Sequence, residues 1–217
     1  VDAGEMQASY RKRREAMLAV DDMVKRVVDT LTDTGQLDNT IIIVTSDNGY
    51  SEGSHRYQGK IVLYEESIRV PLIISGPGVP KGQTRDQMVN NLDVVASIIG
   101  WTGAAPGRTM DGRPLDPVLA DAGAPWRTAL LVENNHAVGV RTKDWLYAEL
   151  SSGQWGDERE AYHLANDPQE LVNIADRPAY ADRIAELKTL VTGLSTCAGA
   201  SCWIADAVPP AAAAAAP

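Results

Sequence analysis

The sequence predicts an α/β fold, with part of a large mixed, mainly parallel sheet flanked by helices, then a small C-terminal antiparallel sheet packed with a helix. Three observations predict it. The run Thr40-Ile41-Ile42-Ile43-Val44-Thr45 is β-branched without alternation, the pattern of a strand covered on both faces. Apolar residues recur at helical spacing near both ends of the chain. Beyond Asp111-Gly112-Arg113 the chain changes to short strand-like segments joined by tight connections.

From about Met6 to Leu31, Met17, Val20, Val24, Val27, Val28 and Leu31 fall on one helical face, with Arg, Lys and Asp opposite. This is an amphipathic helix, stopped by Asp33-Thr34-Gly35. Asp38-Asn39 turns the chain into the strand Thr40 to Thr45. A loop rich in glycine and charge follows. A second buried strand, Val70 to Ser75, ends at the turn Gly76-Pro77-Gly78, and Asn91 to Ile99 reads as a helix with Asp93 near its start and Gly100 at its end. Ala129 to Glu133, Ala137 to Thr142 and Trp145 to Glu149 are expected to form the antiparallel sheet. Ala179 to Leu194, with Ile184, Leu187, Leu190, Val191 and Leu194 on one face, is expected to pack across it. The expected division is therefore 1–121 as the C-terminal part of an α/β catalytic domain, 122–205 as a small α+β subdomain, and 206–217 as a disordered Pro/Ala tail.

A net charge of -9 argues against a nucleic-acid or anionic-membrane surface, which is approached through clustered Lys and Arg. No apolar run has the length needed to span a bilayer. The chain starts at Val1 and continues into charged, helical sequence, so no signal peptide is visible and the start of the gene product is expected to lie upstream. The two cysteines, Cys197 and Cys202, flank a small-residue loop that a disulfide can close. That pairing points to an oxidising compartment, secreted or periplasmic, whereas two free thiols would fit the cytoplasm.

The chemistry concentrates in Ser46-Asp47-Asn48-Gly49-Tyr50-Ser51-Glu52-Gly53-Ser54-His55-Arg56-Tyr57-Gln58-Gly59-Lys60. Asp47 and Asn48 follow the C-terminal end of a strand, where open α/β sheets place their ligands. A carboxylate beside an amide oxygen suits a hard cation such as calcium or magnesium; Asp-Asn-Gly after a strand equally makes a tight turn. Asp21 and Asp22, although adjacent, point about a hundred degrees apart on a helix and cannot chelate one ion together. The segment runs on through Lys60-Ile61-Val62-Leu63-Tyr64-Glu65-Glu66-Ser67-Ile68-Arg69-Val70-Pro71-Leu72.

From Thr40 to Gly78 this stretch closely resembles the sulfatases, members of the alkaline phosphatase superfamily. In that family a strand ends in Asp-Asn-Gly or Asp-His-Gly, a loop delivers Gly-Lys, and Tyr-Glu-x-x-x-Arg-Val-Pro introduces the next strand. Asp111-Gly112-Arg113-Pro114-Leu115 and Leu164-Ala165-Asn166-Asp167-Pro168-Gln169-Glu170 also look like sulfatase segments, so the resemblance covers roughly Tyr10 to Leu194. It implies a sulfuric ester hydrolase in which Asp47 and Asn48 are metal ligands for calcium and Lys60 contacts the sulfate and neutralises developing charge. His55 stands where relatives of the glycosaminoglycan-like branch also have His, and either binds substrate or donates a proton, or caps the loop. Arg56 reads as a surface residue or a contact to an anionic substrate, and Glu65 and Arg69 as a structural ion pair. His136 and His163 have no ligand pattern around them.

The family's nucleophile is a formylglycine made from the Cys or Ser of Cys/Ser-x-Pro-x-Arg, and no such motif occurs in these residues. The resemblance implies that the nucleophile and the paired aspartates completing the metal site lie upstream. The missing N-terminal portion of the same fold is therefore an expected partner, beside a small-molecule or saccharide sulfate ester. The alternatives are a phosphodiesterase or phosphonate monoester hydrolase of the same superfamily, or a noncatalytic sulfatase-like binding module. Asn48, where several phosphoryl-transfer relatives have His, tilts the choice toward sulfate.

Overall fold

The computed structural model describes residues 2–151 and 158–204. The Pro/Ala tail beyond 205 lies outside the described residues. The chain divides into two compact units, Val1–Gln83 and Thr84–Pro217.

The first unit opens with helix α1, Ala3–Asp33. It starts a turn before the apolar periodicity does because Asp2 caps it, its carboxylate accepting from Gly4 N at 2.8 Å and Glu5 N at 2.9 Å. Its apolar stripe is partly covered: Val20, Val24, Val28 and Leu31 are half-buried, and Met17 and Val27 are exposed. Strand β1, Ile42–Thr45, pairs with β4, Leu72–Ser75, in the register Ile43↔Ile74 and Thr45↔Leu72. This pairing is antiparallel, one of the antiparallel pairs that a mixed sheet contains. Both are half-buried, and Ile73 is 60% exposed. An unbroken β-branched run reports hydrophobicity, and carries no information on the direction of the neighbouring strand. Between them lie a short hairpin, β2 Ser51–Glu52 with β3 Gln58–Gly59, and the single-turn helix α2, Glu65–Ile68.

In the second unit α3 spans Asn91–Thr102, with a reciprocal capping box between Asn90 and Asp93. The helix passes through Gly100, expected to end it, and is capped by Gly103 instead. Asp93 is fully buried and accepts Arg113 N at 2.7 Å and both terminal nitrogens of Arg127 at 2.5 and 2.7 Å. A buried carboxylate held this way needs all of those partners. A short helix, α4, occupies Asp116–Ala120.

Four antiparallel strands follow in the order β5-β6-β7-β8: Ala129–Glu133, Ala137–Thr142, Trp145–Leu150 and Arg159–His163. The first three stand where the sequence places them. The fourth is additional, and its Ala161 and Tyr162 are both buried, which defeats a search for alternation. Helix α5, Ala181–Leu194, lays Ile184, Leu187, Leu190, Val191 and Leu194 against Val140, Tyr147 and Ala161. A fully buried Leu such as Leu187 stabilises by about 1.5–3 kcal/mol relative to exposure. Cys197 and Cys202 form a disulfide. The loop they close donates from Gly199 N to Asp111 Oδ1 at 2.7 Å, and Trp203, just past it, donates from Nε1 to Asp111 O at 2.8 Å. No described helix is long and apolar enough to cross a membrane.

Candidate functional site

Strand β1 ends at Thr45, and the chain turns sharply through Ser46-Asp47-Asn48-Gly49. Local hydrogen bonds fix that turn. Ser46 Oγ donates to Asn48 O at 2.8 Å, Asp47 Oδ1 accepts Asn48 N at 2.9 Å, and Asn48 Nδ2 donates to Gly49 O at 2.8 Å. With the amide nitrogen of Asn48 engaged by the Gly49 carbonyl, the amide oxygen is left as an acceptor. Gly49 N donates to Ser67 O at 2.8 Å, and a Cβ at Gly49 would stand 2.0 Å from Glu66 O. Only glycine lets the turn press directly on the backbone of α2.

Lys60 follows the far strand of the hairpin, directly after β3. Its Nζ donates to Asn48 Oδ1 at 2.9 Å and lies 3.8 Å from Asp47 Oδ2. The three residues singled out as metal ligands and sulfate contact thus converge, although twelve residues separate Asn48 from Lys60. The side chains of Asp47 and Lys60 are 80% and 53% exposed, so their attraction is screened and contributes at most about 1 kcal/mol. Such a pair exchanges partners at little cost.

The donor set can be weighed against a hard cation. Asp47 and Asn48 offer side-chain oxygens on one side, and the Lys60 ammonium already stands between them as a cationic occupant. Calcium takes about 6–8 oxygens. The pair fits part of such a shell and needs further donors to complete it.

His55 sits elsewhere on the same loop. Within the first unit its ring stacks on Tyr64, with centroids 3.8 Å apart at 15°, and its Nε2 is 4.0 Å from Glu66 Oε2. The side chain is 12% exposed. Its backbone, at φ 56, and that of Arg56, at φ 55, are both left-handed, a conformation uncommon outside glycine. Glu65 and Arg69 pair at 3.6 Å, as expected of a structural ion pair. Asp21 and Asp22 are exposed on α1. His163 stacks on Trp145 at 4.5 Å, with Nδ1 2.7 Å from Asn166 Nδ2. His136 lies in the turn before β6, its backbone N–H bound by Asn134.

Sequence reasoning did not identify Glu66 and Ser67 as the backbone on which the turn rests. The motif Tyr-Glu-x-x-x-Arg-Val-Pro gave no signal for them, because Glu66 and Ser67 stand at its unspecified positions. It also missed Arg13, whose Nε lies 2.6 Å from Glu52 Oε1 and whose guanidinium lies over the Tyr50 ring at 3.7 Å.

The sulfatase family's sequence model matches residues 2–104. The chain is 32% identical over 233 residues to the human N-acetylglucosamine-6-sulfatase, covering 89% of this chain and 42% of that protein. It is 34% identical over 198 residues to the N-acetylglucosamine-6-O-sulfatase of Bacteroides thetaiotaomicron, covering 85% and 35%. Among solved structures, one of a protein in complex with its substrate D-glucosamine-2-N,6-O-disulfate superposes with a TM-score of 0.73 at 33% identity, covering 81% of this chain and 38% of that one. The phosphonate monoester hydrolase of Agrobacterium radiobacter gives a TM-score of 0.72 at 26% identity, covering 81% and 39%. The chain therefore spans less than half the length of the relatives it matches.

Proposed function

We propose that this chain, whose residues 2–104 match the sulfatase family's sequence model, serves a sulfuric ester hydrolase, supplying two metal ligands and the lysine that contacts the sulfate. The observation that carries this reading is the convergence of Asp47, Asn48 and Lys60. Asp47 and Asn48 would hold a calcium ion, with magnesium as the substitute, together with oxygen donors from sequence outside this chain. The ion, when bound, would draw negative charge from the sulfate oxygens. Lys60 would keep a positive charge beside these two oxygens, available to the sulfate. The turn is fixed by its own backbone hydrogen bonds, so the oxygens are oriented before the ion arrives.

The nucleophile belongs to this proposal and not to these residues, since no Cys/Ser-x-Pro-x-Arg occurs in them. The N-terminal portion of the fold is the proposed source of the formylglycine. In the same reading, residues 1–121 complete the catalytic domain and 122–205 form the small C-terminal subdomain. His55, pinned on Tyr64, borders the substrate rather than the metal. The printed names of relatives support a saccharide sulfate ester as substrate, and the disulfide supports a secreted or periplasmic location.

The test is kinetic. In the complete enzyme, Lys60→Ala and Asp47→Ala should each lower kcat on an aryl sulfate by about 10²–10³, with the unfolding midpoint little changed because both side chains are exposed. Unchanged turnover in either variant would refute the assignment. The phosphonate monoester hydrolase among the similar structures supports a second reading. A complete enzyme that cleaves a phosphonate monoester faster than the matching sulfate ester decides for it.

A further inference from the structure

The turn that carries Asp47 and Asn48 holds a chemically labile pair. Asn48-Gly49 is the one place in the sequence where glycine follows asparagine; every other asparagine precedes a residue with a side chain. The side-chain amide of an asparagine is open to attack by the backbone nitrogen of the next residue, and glycine, having no Cβ, obstructs that approach least. The fold cannot remove the lability by substitution, because a Cβ at position 49 would stand 2.0 Å from Glu66 O. The contact that seats the turn on α2 thus requires the residue that makes Asn48 reactive.

Three hydrogen bonds around the amide bear on its reactivity. Lys60 Nζ donates to Asn48 Oδ1 at 2.9 Å. Attack at Cγ drives negative charge onto that oxygen, and a cation already placed there stabilises the charge as it forms. Asn48 Nδ2 donates to Gly49 O at 2.8 Å, which folds the amide back toward the residue whose nitrogen would attack it. Both features favour reaction. The third opposes it, because Gly49 N donates to Ser67 O at 2.8 Å and so keeps the proton that the nitrogen must lose.

The balance is set by α2. Glu65–Ile68 is a single helical turn, too short to be stable by itself. Elements of this kind open locally at a cost well below that of global unfolding. Opening frees the nitrogen of Gly49, whereas Lys60 is carried by the hairpin, directly after β3, and does not depend on α2 for its place on the amide oxygen.

We propose that Asn48 is a self-modifying site, deamidated with Lys60 as the stabilising cation and guarded by the hydrogen bond from Gly49 to Ser67. Hydroxide takes the proton from Gly49 N, the nitrogen bonds to Asn48 Cγ, and the Cγ–Nδ2 bond breaks, Nδ2 leaving as ammonia with a proton from water. Water then opens the cyclic imide at either carbonyl, leaving an aspartate or an isoaspartate at position 48. The net change is gain of water and loss of ammonia. Both products place a second carboxylate beside Asp47 and remove the donor to Gly49 O, and isoaspartate also lengthens the backbone by one methylene. The inference concerns the turn itself and holds whatever ester the complete enzyme cleaves.

The experiment incubates the complete protein at alkaline pH with a chelator, which leaves Asn48 Oδ1 to Lys60. Peptides are mapped by mass spectrometry for the exchange of NH for O, and hydrogen exchange at Gly49 N is followed in parallel. Amide exchange in base also passes through the deprotonated nitrogen, so both readouts sample the same opening. Asn48 should be modified before every other asparagine, and urea below the unfolding transition should raise its rate by the same factor as Gly49 exchange. Lys60 is exposed, so Lys60→Met should leave the fold intact; it should lower the rate, taken relative to Gly49 exchange, by about tenfold, the worth of one charge-assisted hydrogen bond. Modification first at another asparagine, a rate that does not follow Gly49 exchange, or a relative rate in Lys60→Met equal to that of the wild type would each overturn the proposal.

Discussion

Gly49→Ala tests whether the turn carrying Asp47 and Asn48 is held by its close approach to α2. An alanine Cβ at this position would lie 2.0 Å from Glu66 O, 2.9 Å from Glu66 C and 3.3 Å from Ser67 Cα. The nearest atom is backbone, so no rotamer change relieves the overlap, and the turn and α2 must separate by roughly 1 Å or more to reach ordinary contact. Separation also lengthens the 2.8 Å hydrogen bond from Gly49 N to Ser67 O. Overpacking costs about 1–3 kcal/mol and the weakened bond about 1 kcal/mol, together roughly 2–4 kcal/mol. For a chain of this size that lowers the thermal midpoint by on the order of 10 °C. The displaced turn should also weaken calcium binding and turnover in the complete enzyme, since Asp47 and Asn48 move with it. The assay is thermal unfolding followed by circular dichroism, with Gly107→Ala as control, a position where an added Cβ meets nothing within 4 Å. An unchanged midpoint in Gly49→Ala, or an equal loss in the control, refutes the reasoning.

Three other outcomes follow from the second unit. Arg127→Met leaves the buried Asp93 carboxylate without its guanidinium and should destabilise by about 3–5 kcal/mol; in chemical denaturation, the double variant with Asp93→Asn should lose less than the two single losses combined. Replacing Cys197 and Cys202 by alanine opens a loop closed over a separation of 5 residues and should cost about 2 kcal/mol. Hydrogen exchange at Gly199 should rise with it, and an unchanged exchange rate would mean that Asp111 alone holds the loop. Burial, then the hydrogen bond to Glu149 at 2.8 Å, pushes the Tyr147 phenol above its ordinary value of 10.0. The folded state thus keeps this proton where the unfolded chain releases it. The stabilisation is complete below pH 10.0, declines above it, and is lost as pH passes the raised folded value. Tyrosinate absorbance should show one tyrosine ionising only with unfolding, and ionisation of every tyrosine in the folded protein would contradict this.

Much of the candidate site was legible before any coordinates. Asp47, Asn48 and Lys60 were singled out by an ordered motif, and they meet in space. His55 was left between binding substrate and capping the loop. Its stacking on Tyr64 could not be read from spacing, because the partner lies on a separate element nine residues away. Arg56 looked like a surface residue. Its left-handed backbone is a property of the folded hairpin, produced by Gly53 and by the packing of Met6.

The sequence by itself determined what depends on local periodicity and residue chemistry: α1 and α5, the three strands between Ala129 and Leu150, and the residue types at the site. Side-chain period and cap chemistry act over a few residues, so they can be read along the chain. The tertiary structure decided what depends on partners distant in sequence. It set the antiparallel direction of β1 and β4 and recruited Arg159–His163 as a fourth strand. It carried α3 through Gly100 and placed the turn at Gly49 on α2. In each case the deciding energy is a backbone hydrogen bond or a close packing contact whose second member lies elsewhere in the chain, and only folding supplies it.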